Sequence, residues 1–198
     1  MADFSIEKEY QAQGYAVIAG VDEAGRGPLC GPVCAGAVIL PEGMEDLGIN
    51  DSKKLSEKKR EVLYDVIVQR AIAWGVGLAS PAEIDEYNIL NATMLAMNRA
   101  VAAMGTVPDL LLIDGNRNKG IEYPSVTVIK GDSKSLSIAA ASILAKVTRD
   151  RLMCEYALAY PQYNLAKHKG YPTAEHMALV RQYGANEIYR KSFLKKIL

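Results

Sequence analysis

Short apolar runs alternate along this chain with longer stretches in which apolar residues return every three or four positions. Residues 15–21 are apolar and partly β-branched, close at Asp22 and meet Gly25 and Gly27, which predicts a buried strand running into a turn. Residues 32–40 (PVCAGAVIL) predict a second strand, entered through Gly31-Pro32 and left through Pro41. Residues 71–79 (AIAWGVGLA) alternate and predict a third. Two shorter runs, 110–113 and 125–129, end at Asp114-Gly115-Asn116 and near Gly131-Asp132.

Helical periodicity fills the intervals. Residues 2–13 fit a short polar helix, and 56–70 a helix with Val62, Leu63, Val66 and Ile67 on its inner side. Ser80-Pro81-Ala82-Glu83 combines an N-cap serine, proline at the first helical position and the glutamate of a capping box. Leu90, Met94, Met97, Val101 and Met104 then mark one face of a longer helix, with the methionines as core filling. Residues 135–153 and 172–183 predict two more helices. Strands interleaved with helices imply an α/β fold. The short link between the first two strands makes the sheet mixed.

Length and composition narrow this picture. The 198 residues fit one domain, with a helical C-terminal extension from about residue 160. Hydrophobic residues at 49% and charged residues at 23% describe a globular chain, without the apolar run of about 18 residues that a membrane span needs. Asp3, Glu7, Lys8 and Glu9 near the start fit neither a secretory signal nor a transit peptide, so a cytoplasmic location and no membrane partner are expected. Cys30, Cys34 and Cys154 have no disulfide spacing; Cys30 and Cys34 lack a second pair of zinc ligands and read as small hydrophobes in an apolar stretch. Basic and acidic residues number 23 each, so nucleic-acid binding would need a local basic face.

Candidate chemistry gathers where strands end. Asp22-Glu23, Asp114 and Asp132 each lie at or just past a predicted strand terminus, the position at which open α/β sheets form ligand crevices. Carboxylates collected there repel unless cations intervene. An all-oxygen set without His or Cys suits Mg²⁺ or Mn²⁺ rather than Zn²⁺. Paired hard cations between carboxylates suit in-line phosphodiester hydrolysis. Taken singly, Asp114-Gly115-Asn116 is also a good turn and Asp132 a good helix cap. Asp22 and Glu23 pose a geometric problem, because neighbours in a strand point to opposite faces. Both serve one site only if the strand bends or one contributes through its backbone or a water.

Gly25-Arg26-Gly27 lets backbone approach a phosphate or sugar, although a plain turn has the same composition. Asn50, Ser52 and Lys53 open a basic stretch that reaches Arg60, and a solvated face is the plainer reading of that run. Ser142, Lys146 and Arg149 share one side of their helix, opposite the alanine-rich side, which suits phosphate contacts. His168 to Thr173 offers Lys169 as a cation and Tyr171 as an aromatic for stacking, or for packing at the domain edge.

Longer strings add a family likeness. GVDEAGRGPL at 20–29, NDSKKLS at 50–56, NILNATMLAM at 88–97, LIDGN at 112–116, KGDSKSLSIAAASILAKVTRDR at 130–151 and HKGYPT at 168–173 occur in this order. The chain closely resembles type 2 ribonuclease H, specifically bacterial ribonuclease HII, over residues 19–193. The resemblance implies a ribonuclease H-like fold: a mixed, mainly five-stranded sheet flanked by helices, with a helical C-terminal segment. It implies an endonuclease for the RNA of RNA/DNA hybrids and for single ribonucleotides in duplex DNA, cutting on the 5′ side to leave 3′-hydroxyl and 5′-phosphate ends. It assigns Asp22, Glu23, Asp114 and Asp132 to a catalytic centre holding Mg²⁺ or Mn²⁺, two ions with substrate bound. Gly25, Arg26 and Gly27 would read the 2′-hydroxyl and Tyr171 would stack at the RNA–DNA junction, with Asn50, Ser52, Lys53, Ser133, Lys146 and Lys169 as further substrate contacts. Leu165 and Tyr189 depart from the family's usual aromatic and histidine. The tail at 193–198 lacks the paired aromatics of a sliding-clamp peptide, so no clamp partner is expected, and nothing points beyond a monomer. The rival readings are a related nuclease such as a junction resolvase, and a non-catalytic hybrid-binding module.

Overall fold

The computed structural model describes residues 2–195. The final residues of the tail read above for a clamp peptide, 196–198, lie outside it. Five strands form one mixed sheet in the order β3-β2-β1-β4-β5: β1 (Ile18–Ala24), β2 (Val33–Ile39), β3 (Ala73–Ala79), β4 (Leu110–Asp114) and β5 (Ser125–Val128). β1, β2 and β3 pair antiparallel, while β1–β4 and β4–β5 run parallel.

Helices cover both faces, and side-chain parity along β1 decides which residue meets which helix. Ala19 and Val21 join the core under α3 (Pro81–Ala103), whereas Ile18 packs with Leu110, Leu112 and Ile138 on the side of α4 (Leu136–Ala159). Gly20 lies where α4 crosses: a Cβ there would sit 2.1 Å from the Ser137 carbonyl carbon, so the contact requires glycine. α2 (Glu57–Arg70) adds Leu63 and Ile67 to the core on the α4 side. The first helix, α1 (Ser5–Gln11), is short as predicted.

Termini follow their caps. Ser80 and Glu83 make the reciprocal capping box that starts α3, with Glu83 Oε2 accepting from Ser80 N at 2.8 Å. Ser56 caps α2, and Thr173 caps α6 (Ala174–Tyr183). α3 contains one non-helical residue: Asn88 has φ 63° and ψ 164°, and its Oδ1 accepts from the backbone of Leu90 and Asn91, capping a second helical stretch. That re-aimed segment leaves Leu90 partly exposed rather than in the predicted core, and Val62 of α2 is likewise exposed.

Beyond α4 the chain is helical, with α5 (Leu165–His168), α6 and α7 (Lys191–Leu194). These segments share a separate core with Leu29, Cys30 and Met153, in which Leu165 and Tyr189 are both buried. Arg149 and Arg190 tie this part of the molecule to the loop between β1 and β2. No helix among the described residues is long and apolar enough to cross a membrane.

Candidate metal centre and nucleic-acid groove

Sequence periodicity ends the first strand at Asp22, but β1 runs on through Glu23 to Ala24, held by the pairing of Glu23 with Ala35 and Ala24 with Cys34. No bend separates the two acids, so they point to opposite faces. Asp22 lies on the α4 side and Glu23 on the α3 side. β4 pairs Gly20 with Leu112 and Val21 with Ile113, and the next step of that register sets Asp114 beside Asp22. Asp132 arrives from the short turn Gly131–Ser133 that precedes α4. Gly131 N donates to Asp114 Oδ1 at 2.7 Å, which fixes this turn against the end of β4.

Asp22, Asp114 and Asp132 thereby offer three carboxylate oxygens that all lie within 4.8 Å of one another. Asp22 is buried; its Oδ1 accepts from Glu23 N at 2.7 Å. Burial pushes the Asp22 carboxyl well above the ordinary carboxylate range, with repulsion from Glu23 and Asp114 adding to it. Burial and the same neighbour, Asp114, raise Asp132. Glu23 is also raised by burial, against the pull of Arg26, whose Nη1 lies 3.3 Å from its Oε1. Lys53 Nζ stands 3.8 Å from Asp132 Oδ2. Partial burial opposes the charge of Lys53, but Asp22, Asp132, Asp51 and Asp114 outweigh it and hold the ammonium above its usual value. A single lysine near three carboxylates leaves excess negative charge. The all-oxygen donor set fits a hard divalent cation, which would relieve that repulsion.

Beside this cluster a groove is lined by Glu23, Gly25, Arg26, Gly27, Ser52, Lys53, Lys146 and Tyr171, together with Arg60 and Ser142. Gly25 has φ +96°, and a Cβ there would fall 2.1 Å from Arg149 Nε. Gly27 passes under Tyr171, whose ring carbon would lie 3.5 Å from a Cβ at that position. Tyr171 is 42% exposed, its backbone fixed by bonds to His168 and His176. The two histidines stack with centroids 4.2 Å apart, and burial lowers the pKa of each.

The other residues singled out from the sequence have different surroundings. Asn50, Ser133 and Lys169 do not line the groove. Asn50 Oδ1 accepts from Asp51 N, Ser133 Oγ donates to the Lys130 carbonyl, and Lys169 Nζ donates to the Ala166 carbonyl. Ser52 lines the groove, but its hydroxyl bonds the Ser142 hydroxyl at 2.7 Å. Lys146 reaches it while paired with Asp150. Arg149, read from the sequence as a phosphate contact, is buried and donates to the Pro32, Lys169 and Cys30 carbonyls, because the C-terminal segments cover that side of α4.

Arg190 carries no sequence signal, yet it organises the loop. It is buried and donates to the carbonyls of Gly25, Arg26, Pro28 and Gly31. Cys30 and Cys34, both buried, have thiols pushed up to about 12, in line with the inert reading.

The strings and the geometry have counterparts in known proteins. The family model described as ribonuclease HII matches residues 19–196. Ribonuclease HII of Shewanella baltica is 55% identical over 193 residues, covering 94% of this chain and 92% of that protein. The crystal structure of ribonuclease H2 from Pyrococcus horikoshii superposes with TM-score 0.77 at 30% identity, covering 92% of this chain and 97% of that one. The structure of Bst-RNase HIII in complex with Mn²⁺ shares the fold, with TM-score 0.71 at 17% identity over 90% of this chain and 67% of that one. The chain belongs to the ribonuclease HII family, and is a hydrolase of RNA in RNA/DNA hybrids.

Proposed function

We propose that this enzyme also cuts on the 5′ side of single ribonucleotides embedded in duplex DNA, leaving 3′-hydroxyl and 5′-phosphate ends. The observation that carries this reading is the packing of Gly27 beneath a half-exposed Tyr171, in the groove that Glu23 borders. A nucleotide seated there meets the loop backbone beside Gly25, whose φ of +96° favours glycine, and an aromatic face at its neighbour.

Asp22, Asp114 and Asp132 hold the divalent cation, Mg²⁺ or Mn²⁺, and two ions are held when substrate is bound. Mn²⁺ in the distant Bst-RNase HIII supports this choice. Bound there, such ions supply an activated water and charge compensation at the leaving oxygen. Glu23, on the opposite face of β1, contributes from the α3 side of the same phosphate, and Arg26 orients it.

Loop polarity determines what the ribose encounters. Arg190 takes the Gly25 and Arg26 carbonyls, while the N–H groups of Arg26 and Gly27 have no partner among the described residues. These donors suit the oxygen of a 2′-hydroxyl, the group that separates a ribonucleotide from its DNA neighbours. Tyr171 stacks on the next sugar, where a deoxyribose fits and a hydroxyl crowds the ring. The protein acts as a single domain and a monomer. Tyr171→Ala tests this directly: cleavage at one embedded ribonucleotide should fall by about tenfold or more, the loss expected from about 1.4 kcal/mol of stacking, with a smaller loss on long hybrids. Equal losses on both substrates would remove the junction-reading role of Tyr171.

A further inference from the structure

Arg117 lies three residues beyond Asp114 and borders a pocket on the α3 side of the sheet, with Glu23, Arg26, Met94 and Asp114. Its Nε is buried without a hydrogen-bond partner, and among the described residues no carboxylate pairs with its guanidinium. Such an arrangement is unusual. Buried donors are nearly always satisfied, and an arginine beside two carboxylates would ordinarily swing to one of them. Here Glu23 is engaged by Arg26, and Asp114 Oδ1 accepts from Gly131 N, so the nearby acids are already committed. The other charged arginines of the interior, Arg149 and Arg190, spend their donors on carbonyls. Of these three, only Arg117 makes no hydrogen bond among the described residues, and it borders a pocket.

That pocket adjoins the groove described above, because Glu23 and Arg26 border both. Lys53, Arg60 and Lys146 supply positive charge on the Tyr171 side of Glu23, and Arg117 supplies it on the other. From this placement we infer that Arg117 binds a backbone phosphate of the nucleic-acid duplex, on the far side of Glu23 from Tyr171. A planar guanidinium with unspent N–H donors matches a phosphate in two-point geometry, and a lysine at the same place would match it only as a point charge. The inference rests on the ribonuclease H reading for the identity of its ligand.

Hybrid binding measured in Ca²⁺, from about 50 to 200 mM salt, tests it for the wild type, Arg117→Gln and Arg117→Lys. Arg117→Gln should weaken binding by about fivefold or more and lower the slope of log Kd against log salt by about 0.9, the signature of one lost phosphate contact. Arg117→Lys should keep that slope while losing part of the affinity. A methylphosphonate at the contacted linkage should weaken the wild type and leave Arg117→Gln unaffected. An unchanged affinity and slope in Arg117→Gln would overturn the inference. So would a loss of Mn²⁺ affinity with the slope intact, which would assign Arg117 to the metal centre. Binding is read without cleavage, so the two failures separate. A wild type that shows the Arg117-dependent slope but never cuts keeps this inference and removes the activity. One that cuts while Arg117→Gln binds identically removes this inference alone.

Discussion

At the scale of single residues, Asp22 shows most clearly that function sets a cost on stability. It is buried beside Asp114 and Asp132 with its carboxyl raised by that burial. A carboxyl with a raised folded-state value binds protons that the unfolded chain releases, so stability in the absence of metal falls as pH rises past the ordinary carboxylate range. Asp22→Asn should therefore raise the metal-free Tm at neutral pH by about 2–4 °C or more, the shift that about 1 kcal/mol produces in a chain of this size. The gain should fade toward about pH 3, below the ordinary Asp value, where Asp22 is largely neutral in both states. Thermal melts in EDTA at both pH values check this, and a lower Tm at neutral pH would show that Asp22 is not strained. Gly25→Ala meets a different penalty, since φ +96° and the 2.1 Å approach to Arg149 leave no room for a methyl group. Its loop should shift and embedded-ribonucleotide cleavage should fall by about 100-fold, the scale of loss that a misplacement of about 1 Å can cause. Parity along a strand, legible in the sequence, already separated Asp22 from Glu23. Arg149 and Arg190 were not legible, because a helical period gives the side of a helix and not what covers it.

Among the elements, β1 and α4 run longer than the sequence pattern implies, and both extensions have a physical cause. Hydrophobic periodicity stops at Asp22, but ladder pairing with β2 carries the strand to Ala24. Likewise α4 continues to Ala159, because its last turns pack on the C-terminal segments that periodicity alone could not position. The break at Asn88 was invisible, since the flanking residues keep helical spacing across it. The platform under Tyr171 rests on the stacked, neutral pair His168 and His176. His176 Nδ1 donates to the Tyr171 carbonyl, and in the neutral ring Nε2 accepts from the Tyr189 hydroxyl; protonation would require that hydroxyl to turn and a charge to be buried beside His168. Burial lowers both histidines. Their contribution is present above about pH 6.5 and is lost as pH falls below it, because the unfolded chain takes up protons first. Amide exchange across α6 should accelerate between pH 7.5 and 5.5 after correction for intrinsic rates. A His176→Gln variant should lose most of that pH dependence, and an equally pH-dependent variant would assign it elsewhere.

Across the whole molecule, the parallel pairing of β1 with β4 brings Asp22 and Asp114 together, and the C-terminal helices carry Tyr171 over the Gly25–Gly27 loop. Formal charge sums to zero, yet Arg26, Lys53, Arg60 and Lys146 border one groove. Attraction for nucleic acid is therefore local, as neutral composition required. The α/β class, five strands and the acidic strand ends could all be read from pattern. Their assembly into one centre depended on register and crossover, which a single sequence does not reveal. A divalent cation in that centre should stabilise the folded chain: at 100 times its Kd, Mn²⁺ should add about 2.7 kcal/mol and raise the Tm, while Asp114→Asn should abolish most of the rise. The most direct test of the account is cleavage of a DNA duplex carrying one ribonucleotide, with Mg²⁺ or Mn²⁺, beside an all-DNA duplex and a branched DNA. The account predicts one cut 5′ of the ribonucleotide, with 3′-hydroxyl and 5′-phosphate ends, no cut in either control, and loss of activity in EDTA and in Asp114→Asn. An intact ribonucleotide duplex under both metals, or undiminished cutting by Asp114→Asn, would contradict it.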